Sequence, residues 1–130
     1  MKMLYLSFLL SLAVLQPRTD DPVERTIAFL KQGNVAELCK TLAPSIDLAI
    51  ADNQDTYPKE KAQVMLNAFF AKNQPVSAKV VHRLNSNPDL LYAVIILTTK
   101  GGNYRVSFSV KNNKGVFQLT ELGISEEKAN

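Results

Sequence analysis

Tryptophan is absent from these 130 residues, and cysteine and histidine occur once each, as Cys39 and His82. A single cysteine excludes an intramolecular disulfide and any cysteine-rich metal centre. A single histidine excludes the paired histidines of the common zinc sites. Charge of one sign is also missing: 15 basic residues stand against 12 acidic ones, and the basic residues form no run. A net charge of +3 spread along the chain leaves no nucleic-acid footprint. There is no internal repeat, low-complexity stretch, phosphate-cradling glycine loop, nucleotide fingerprint or Ser-His-Asp spacing. Neither a metal nor a cofactor is therefore expected. With 46% hydrophobic and 21% charged residues, what remains is an ordinary globular domain large enough for a real core.

Cys39 falls at helical spacing with Val35, Leu38 and Leu42, which places it in the core as a small apolar residue rather than as a reactive thiol.

One long apolar run is present, at the N-terminus. Lys2 precedes Met3–Leu15, whose polar members are Ser7 and Ser11. This is the length of a signal-peptide core and too short to span a bilayer. Residues 1–16 are read as a signal peptide and 17–130 as a single α+β domain. An N-terminal core helix or an uncleaved anchor is the alternative. Ser11-Leu12-Ala13 has the small residues of a cleavage site but leaves a short apolar core, and a cut near Leu15 or Gln16 has poorer chemistry. No cysteine follows to carry a lipid. The expectation is export to the periplasm or beyond, with no membrane attachment after cleavage.

Helical signals come next. Asp21-Pro22 offers an acidic cap and a proline at the first helical position, Val23, Ile27 and Leu30 form a stripe, and Gly33 closes the helix. Asn34 with Glu37 three residues on resembles a capping box and opens a second helix to about Leu42, before Pro44. Ile46, Leu48 and Ile50 alternate as a short extended segment. The polar stretch 51–56 lacks the glycine and terminal glutamate of a calcium loop and is read as a solvated loop. Pro58 starts the longest helix, to about Lys72, with Ala62, Met65, Leu66, Phe69 and Phe70 on one broad apolar face.

From Val76 the period becomes two. Val76, Ala78, Val80 and His82 share one side, and Ser77, Lys79, Val81 and Arg83 the other. Two β-rich runs then flank Gly101-Gly102, a hairpin signature. A Gly101-Gly102 turn pairs Thr99 with Tyr104, Leu97 with Val106, Ile95 with Phe108 and Ala93 with Val110. One face is then apolar, while Tyr92, Val94, Ile96 and Thr98 lie with Arg105, Ser107 and Ser109 on the other. The last strand, 116–124, carries apolar residues in both phases, Phe117 and Leu119 in one, Leu122 and Ile124 in the other. A bulge near Thr120-Glu121 reconciles them.

The expected architecture is α+β: three N-terminal helices packed on a curved antiparallel sheet of four main strands, the order of the nuclear transport factor two-like (cystatin-like) cone. Phe69-Phe70, Asn73, Pro75, His82, Tyr92, Leu97, Thr99, Gly102, Tyr104-Arg105-Val106, Lys111 and Leu122-Gly123-Ile124 together resemble an uncharacterised family of small exported bacterial domains with that fold. The resemblance covers nearly all of the chain after the signal segment. It implies export and brings no catalytic residues. Leu84 departs from it, standing where the family has a glycine two residues after the histidine.

Two classes of function follow. The first is a non-enzymatic binding or protein-interaction domain. Tyr92, Val94, Ile96 and Arg105 make the outer sheet face too apolar for a solvated surface and too polar for a core, which suits a two-fold homodimer; a cover formed by the chain's own termini is the alternative. The second is an isomerase- or dehydratase-type enzyme using the cone pocket, with His82 as acid or base and Tyr104, Glu121 and Asp47 as further candidates. A lone histidine at the end of a strand is more often a structural hydrogen-bonding residue than a base. A small apolar ligand in the cone is a third expectation.

Overall fold

The computed structural model describes residues 21–128; residues 1–16, read above as a signal peptide, lie outside them. Among the described residues, three helices and six strands follow in the order α1 (Pro22–Gln32), α2 (Val35–Lys40), β1 (Leu42–Ile50), β2 (Asn53–Pro58), α3 (Lys59–Lys72), β3 (Pro75–Asn87), β4 (Leu90–Thr99), β5 (Gly102–Asn113) and β6 (Val116–Glu126). The strands form one sheet in the order β2-β1-β6-β5-β4-β3.

The helix ends are set by the residues that signalled them. The Asp21 side chain accepts hydrogen bonds from the Val23 and Glu24 amides at 2.9 and 3.4 Å, Pro22 occupies the first turn, and Gly33 closes α1 at φ +65°. Asn34 Oδ1 accepts from the Glu37 amide at 3.2 Å. The Glu37 carboxylate accepts from Lys40 at 2.7 Å, so α2 carries an N-cap joined to a surface ion pair in place of a reciprocal capping box. Cys39 is buried, as its spacing indicated, and burial pushes its thiol pKa up, with Lys59 pulling weakly the other way.

All three helices lie against one face of the sheet. Val23, Ile27 and Leu30 from α1, Leu38 from α2, and Ala62, Leu66, Phe69 and Phe70 from α3 join one core with Ile46, Leu48, Ile95, Leu97, Val106, Phe108, Leu122 and Ile124. Phe108 is 1% exposed, and Phe69 and Phe70 meet edge to face at 5.2 Å. The interior of the cone is thus filled by aromatic rings.

The sheet has six strands where four main ones and one short segment were expected. β1 starts at Leu42 and runs through Pro44. Pro44 falls in the irregular stretch between the Leu42–Leu119 and Asp47–Glu121 pairs, where a missing amide donor costs no ladder bond. Residues 53–56, read as part of a solvated loop, and Pro58, read as the start of the long helix, belong to the edge strand β2, paired to β1. Most of its side chains are exposed, so its sequence needs no apolar alternation.

The central hairpin keeps both expected faces and shifts its partners by two residues. Thr99 pairs with Gly102, Leu97 with Tyr104, Ile95 with Val106 and Ala93 with Phe108. A two-residue shift preserves the alternation, whereas a one-residue shift would invert it. The turn is Lys100-Gly101 because the end of α3 holds it there. The Lys100 amide donates to the Gln74 carbonyl at 2.9 Å. Gly101 passes so close to Asn73 that a Cβ would collide with Asn73 Oδ1. Thr99 Oγ1 accepts from the Gly101 amide and donates to the Gly102 carbonyl.

The β6 bulge lies where both apolar sets require it. Ser109 pairs with Glu121 and Val110 with Leu119, leaving Thr120 as the extra residue. Leu119, Leu122 and Ile124 are all buried. A bulge in β3 has the opposite consequence for the sequence reading. Val80 pairs with Ile95 and His82 with Val94, so Val81 is extra and every later residue changes face. His82 therefore lies on the outer face and Arg83 on the inner one, the reverse of the unbroken alternation. β3 continues past Leu84 to Asn87, with Leu84 paired to Tyr92.

Candidate functional site

On the outer face the pairing registers align residues into rows across the strands. One row reads Thr56, Asp47, Glu121, Ser109, Tyr92 and Leu84, from β2 to β3. The next reads Gln54, Ala49, Gly123, Ser107, Val94 and His82. A third carries Ser125, Arg105, Ile96 and Lys79. The middle row is low because its members over β1, β6 and β5 are Ala49, Gly123 and Ser107. Gly123 is close enough to Ser107 Oγ that an added Cβ would stand 3.1 Å from it.

Two hollows of about 250 and 270 Å³ share this floor. The first is bordered by Asp47, Gln54, Glu121, Ser109 and Tyr92. The second is bordered by Tyr92, Val94, Arg105 and Ser125. The acidic end is organised by neighbouring hydroxyls. Thr56 Oγ1 donates to Asp47 Oδ1 at 2.6 Å, and Ser109 Oγ donates to Glu121 Oε1 at 2.8 Å. Neither carboxylate forms an ion pair among the described residues. Arg105 is half-exposed and 3.8 Å from Glu127.

Tyr92, Val94, Ile96 and Arg105, the expected interface residues, therefore sit together on the outer face. Val94 is 5% exposed yet absent from the main core, since it is covered by its neighbours on the outer face rather than by the helices.

The acid–base candidates are dispersed. His82 is exposed on the outer face with its ring 6.5 Å from that of Tyr92, so it does not enter the cone, and its proposed role there is corrected by the β3 bulge. Glu121 and Asp47 are on the outer face as well. Tyr104 alone reaches the cone mouth. Its ring meets Phe69 edge to face at 4.9 Å, and its hydroxyl donates to Asn73 Oδ1 at 3.1 Å. Asn73 in turn donates to the Phe69 carbonyl at 3.0 Å. Among the described residues no group of three or more His, Cys, Asp or Glu side chains is placed to hold a metal ion.

The mouth itself is a hollow of about 510 Å³ bordered by Ile50, Phe69, Asn73, Tyr104 and Ile124, with Asp52, Glu126 and Lys128 at its rim. It stops at the Phe69 and Tyr104 rings, short of the packed interior.

A further charged cluster joins the start of the domain to the sheet. Arg83 donates to Asp21 at 2.6 Å and to Glu24 at 3.1 Å. The same Asp21 carboxylate caps α1. Burial alone would raise the Asp21 pKa, but the hydrogen bonds from Arg83 and from the Val23 and Glu24 amides outweigh it and hold the group below its ordinary value. Sequence reasoning missed this cluster because the unbroken alternation of β3 points Arg83 outward. It also missed the Asp47–Glu121 neighbourhood, which depends on parallel pairing between β1 and β6.

Three helices enclosed by a strongly curved mixed sheet define the nuclear transport factor two-like class of α+β domains. A protein of unknown function with that fold from Cytophaga hutchinsonii superposes with a TM-score of 0.59 at 16% identity, over 88% of this chain and 94% of its own, a likeness of fold alone. Residues 23–125 match the family described as domain of unknown function DUF4783, and the chain belongs to it. A DUF4783 family protein from Bacteroides uniformis is 26% identical, with a TM-score of 0.78 over 84% of this chain and 100% of its own. One from Bacteroides fragilis is 25% identical, with a TM-score of 0.75 over 83% and 100%. No curated protein matches the chain.

Proposed function

We propose that this chain is an exported, non-enzymatic binding domain that meets its partner through the outer face of the sheet. In the simplest case that partner is a second copy of the chain. The observation that carries this reading is the outer face itself. It sets the half-buried Tyr92 and Ile96 on either side of a nearly covered Val94, beside two adjoining hollows, and every described helix packs on the opposite face. Apolar and aromatic residues set among polar ones are the usual make-up of a partner surface. Export rests on the apolar segment after Lys2. Binding is favoured over acid–base catalysis because His82 lies outside the cone and Phe69, Phe70 and Phe108 fill its interior. Light scattering on the chain without its signal segment is expected to report a dimer at high micromolar concentration. Ile96→Lys should weaken that dimer at least tenfold and leave the circular dichroism spectrum unchanged, because Ile96 is only half-buried and the new ammonium replaces an apolar contact between copies. A monomer at high micromolar concentration defeats the dimer.

A second reading is supported by the cone mouth. Its volume of about 510 Å³ suits a small molecule, and Ile50, Phe69 and Ile124 offer apolar contact beside the Tyr104–Asn73 hydrogen bond. A small, largely apolar ligand there is expected to raise the melting temperature saturably. Ile50→Glu should abolish that shift. An identical shift in the variant would place the ligand elsewhere.

A further inference from the structure

The outer face is divided by charge. Its β1/β6 end carries Asp47 and Glu121 side by side around the first hollow. Its β5 corner carries Arg105 beside the second. From the strand rise and spacing, Arg105 is roughly 15 Å from the carboxylates along the same face, too far for a side chain to span within one copy. Between them lies the low floor of Ala49, Gly123 and Ser107.

We propose that two copies pair about a two-fold axis lying in the interface over Gly123 and Ser107, and that Arg105 of each copy enters the acidic hollow of the other. This rests on the outer-face reading given above. A two-fold interface must be self-complementary, so a patch with opposite charges at opposite corners must have its axis between them. The floor is lowest along that line, where Gly123 has no side chain and Ser107 and Ala49 have small ones, so two sheets can approach closely there. Extended across the sheet, the same line runs over Val94 toward His82, and Tyr92 lies one row away on the acidic side. The acidic hollow suits a guanidinium: two carboxylates are already oriented by Thr56 and Ser109, with a tyrosine ring on the opposite wall. Arg105 has only a long contact to Glu127 to give up.

The test is a charge exchange read by sedimentation equilibrium. Arg105→Glu and Glu121→Arg should each weaken the dimer at least tenfold, because each sets like charges together at both ends of the interface. Arg105→Gln, which keeps the polarity and loses the charge, should weaken it less. The double variant R105E/E121R should return the dissociation constant to within about threefold of the original, since reversing both partners restores attraction. Raising the salt concentration should weaken the unmodified dimer. If the chain dimerises but R105E leaves the constant unchanged, or the double variant stays as weak as the single ones, the docking of Arg105 is overturned while the outer-face dimer stands. A chain that stays monomeric at high micromolar concentration overturns both.

Discussion

Phe108→Ala is expected to lower the unfolding free energy by about 3–5 kcal/mol, the largest effect of any single change considered for this domain. Phe108 is 1% exposed and sits on β5 opposite Ala93 and Leu122, at the centre of the inner face. Ala93 is too small to fill a space left beside it. The strand backbones on both sides are fixed by long ladders, so the site cannot collapse. The loss therefore combines the transfer of an aromatic ring with a cavity that persists. Urea titration followed by far-ultraviolet circular dichroism measures it, tyrosine and phenylalanine being the aromatics present. Phe108→Leu should cost far less, because most of the volume is retained. A change below about 1 kcal/mol for the alanine variant would mean that the interior is not closed by this ring.

Arg83→Ala is expected to cost about 2 kcal/mol at neutral pH. Its two charged hydrogen bonds are unequal: the Asp21 arm is half-buried at 2.6 Å, whereas Glu24 is half-exposed and contributes little after screening. Removing the guanidinium leaves the Asp21 carboxylate partly desolvated with only two amide donors. The pH dependence follows from the depressed pKa of Asp21. A carboxyl held lower in the folded than in the unfolded chain contributes stability above its ordinary value, and that contribution is lost as pH falls through the folded value. The unmodified protein should therefore lose stability as pH falls below the ordinary carboxylate range, and Arg83→Ala should flatten that limb. Equal acid slopes in the two proteins would mean that Arg83 is not what holds Asp21 ionised.

Elements whose pattern is set locally could be read in the sequence. Asp21, Gly33 and Asn34 marked helix ends through their own hydrogen bonds. The two faces of β4 and β5 were legible because their apolar residues alternate strictly. Their partners were displaced by two because Asn73 and Gln74, distant in sequence, fix the turn. The β6 bulge was legible because apolar residues occupy both phases and both must be buried. The β3 bulge was not: Val80 and Val81 are both apolar and both largely exposed on an edge strand, so neither phase is favoured by burial. β2 lacks an apolar pattern for the same reason. The outer-face residues were recognised as a group, but their arrangement into an acidic and a basic corner was not. It depends on β1 lying beside β6, which no local pattern announces.

That pairing of β1 with β6 also bears on how the chain acquires its structure. Among the described residues, β1 and β2 join the rest of the sheet only through β6, and β6 is the last strand in chain order. Leu48 must wait for Leu122, and Ala49 for Gly123, so two of the six described strands cannot join the rest of the sheet until β6 is available. Contacts so far apart in sequence make folding slow relative to helix and hairpin formation. The β1–β2 ladder and the β3–β6 ladder therefore form as separate pieces before they are joined. β1 and β6 thus act together as a latch that joins the two pieces only once β6 has been made.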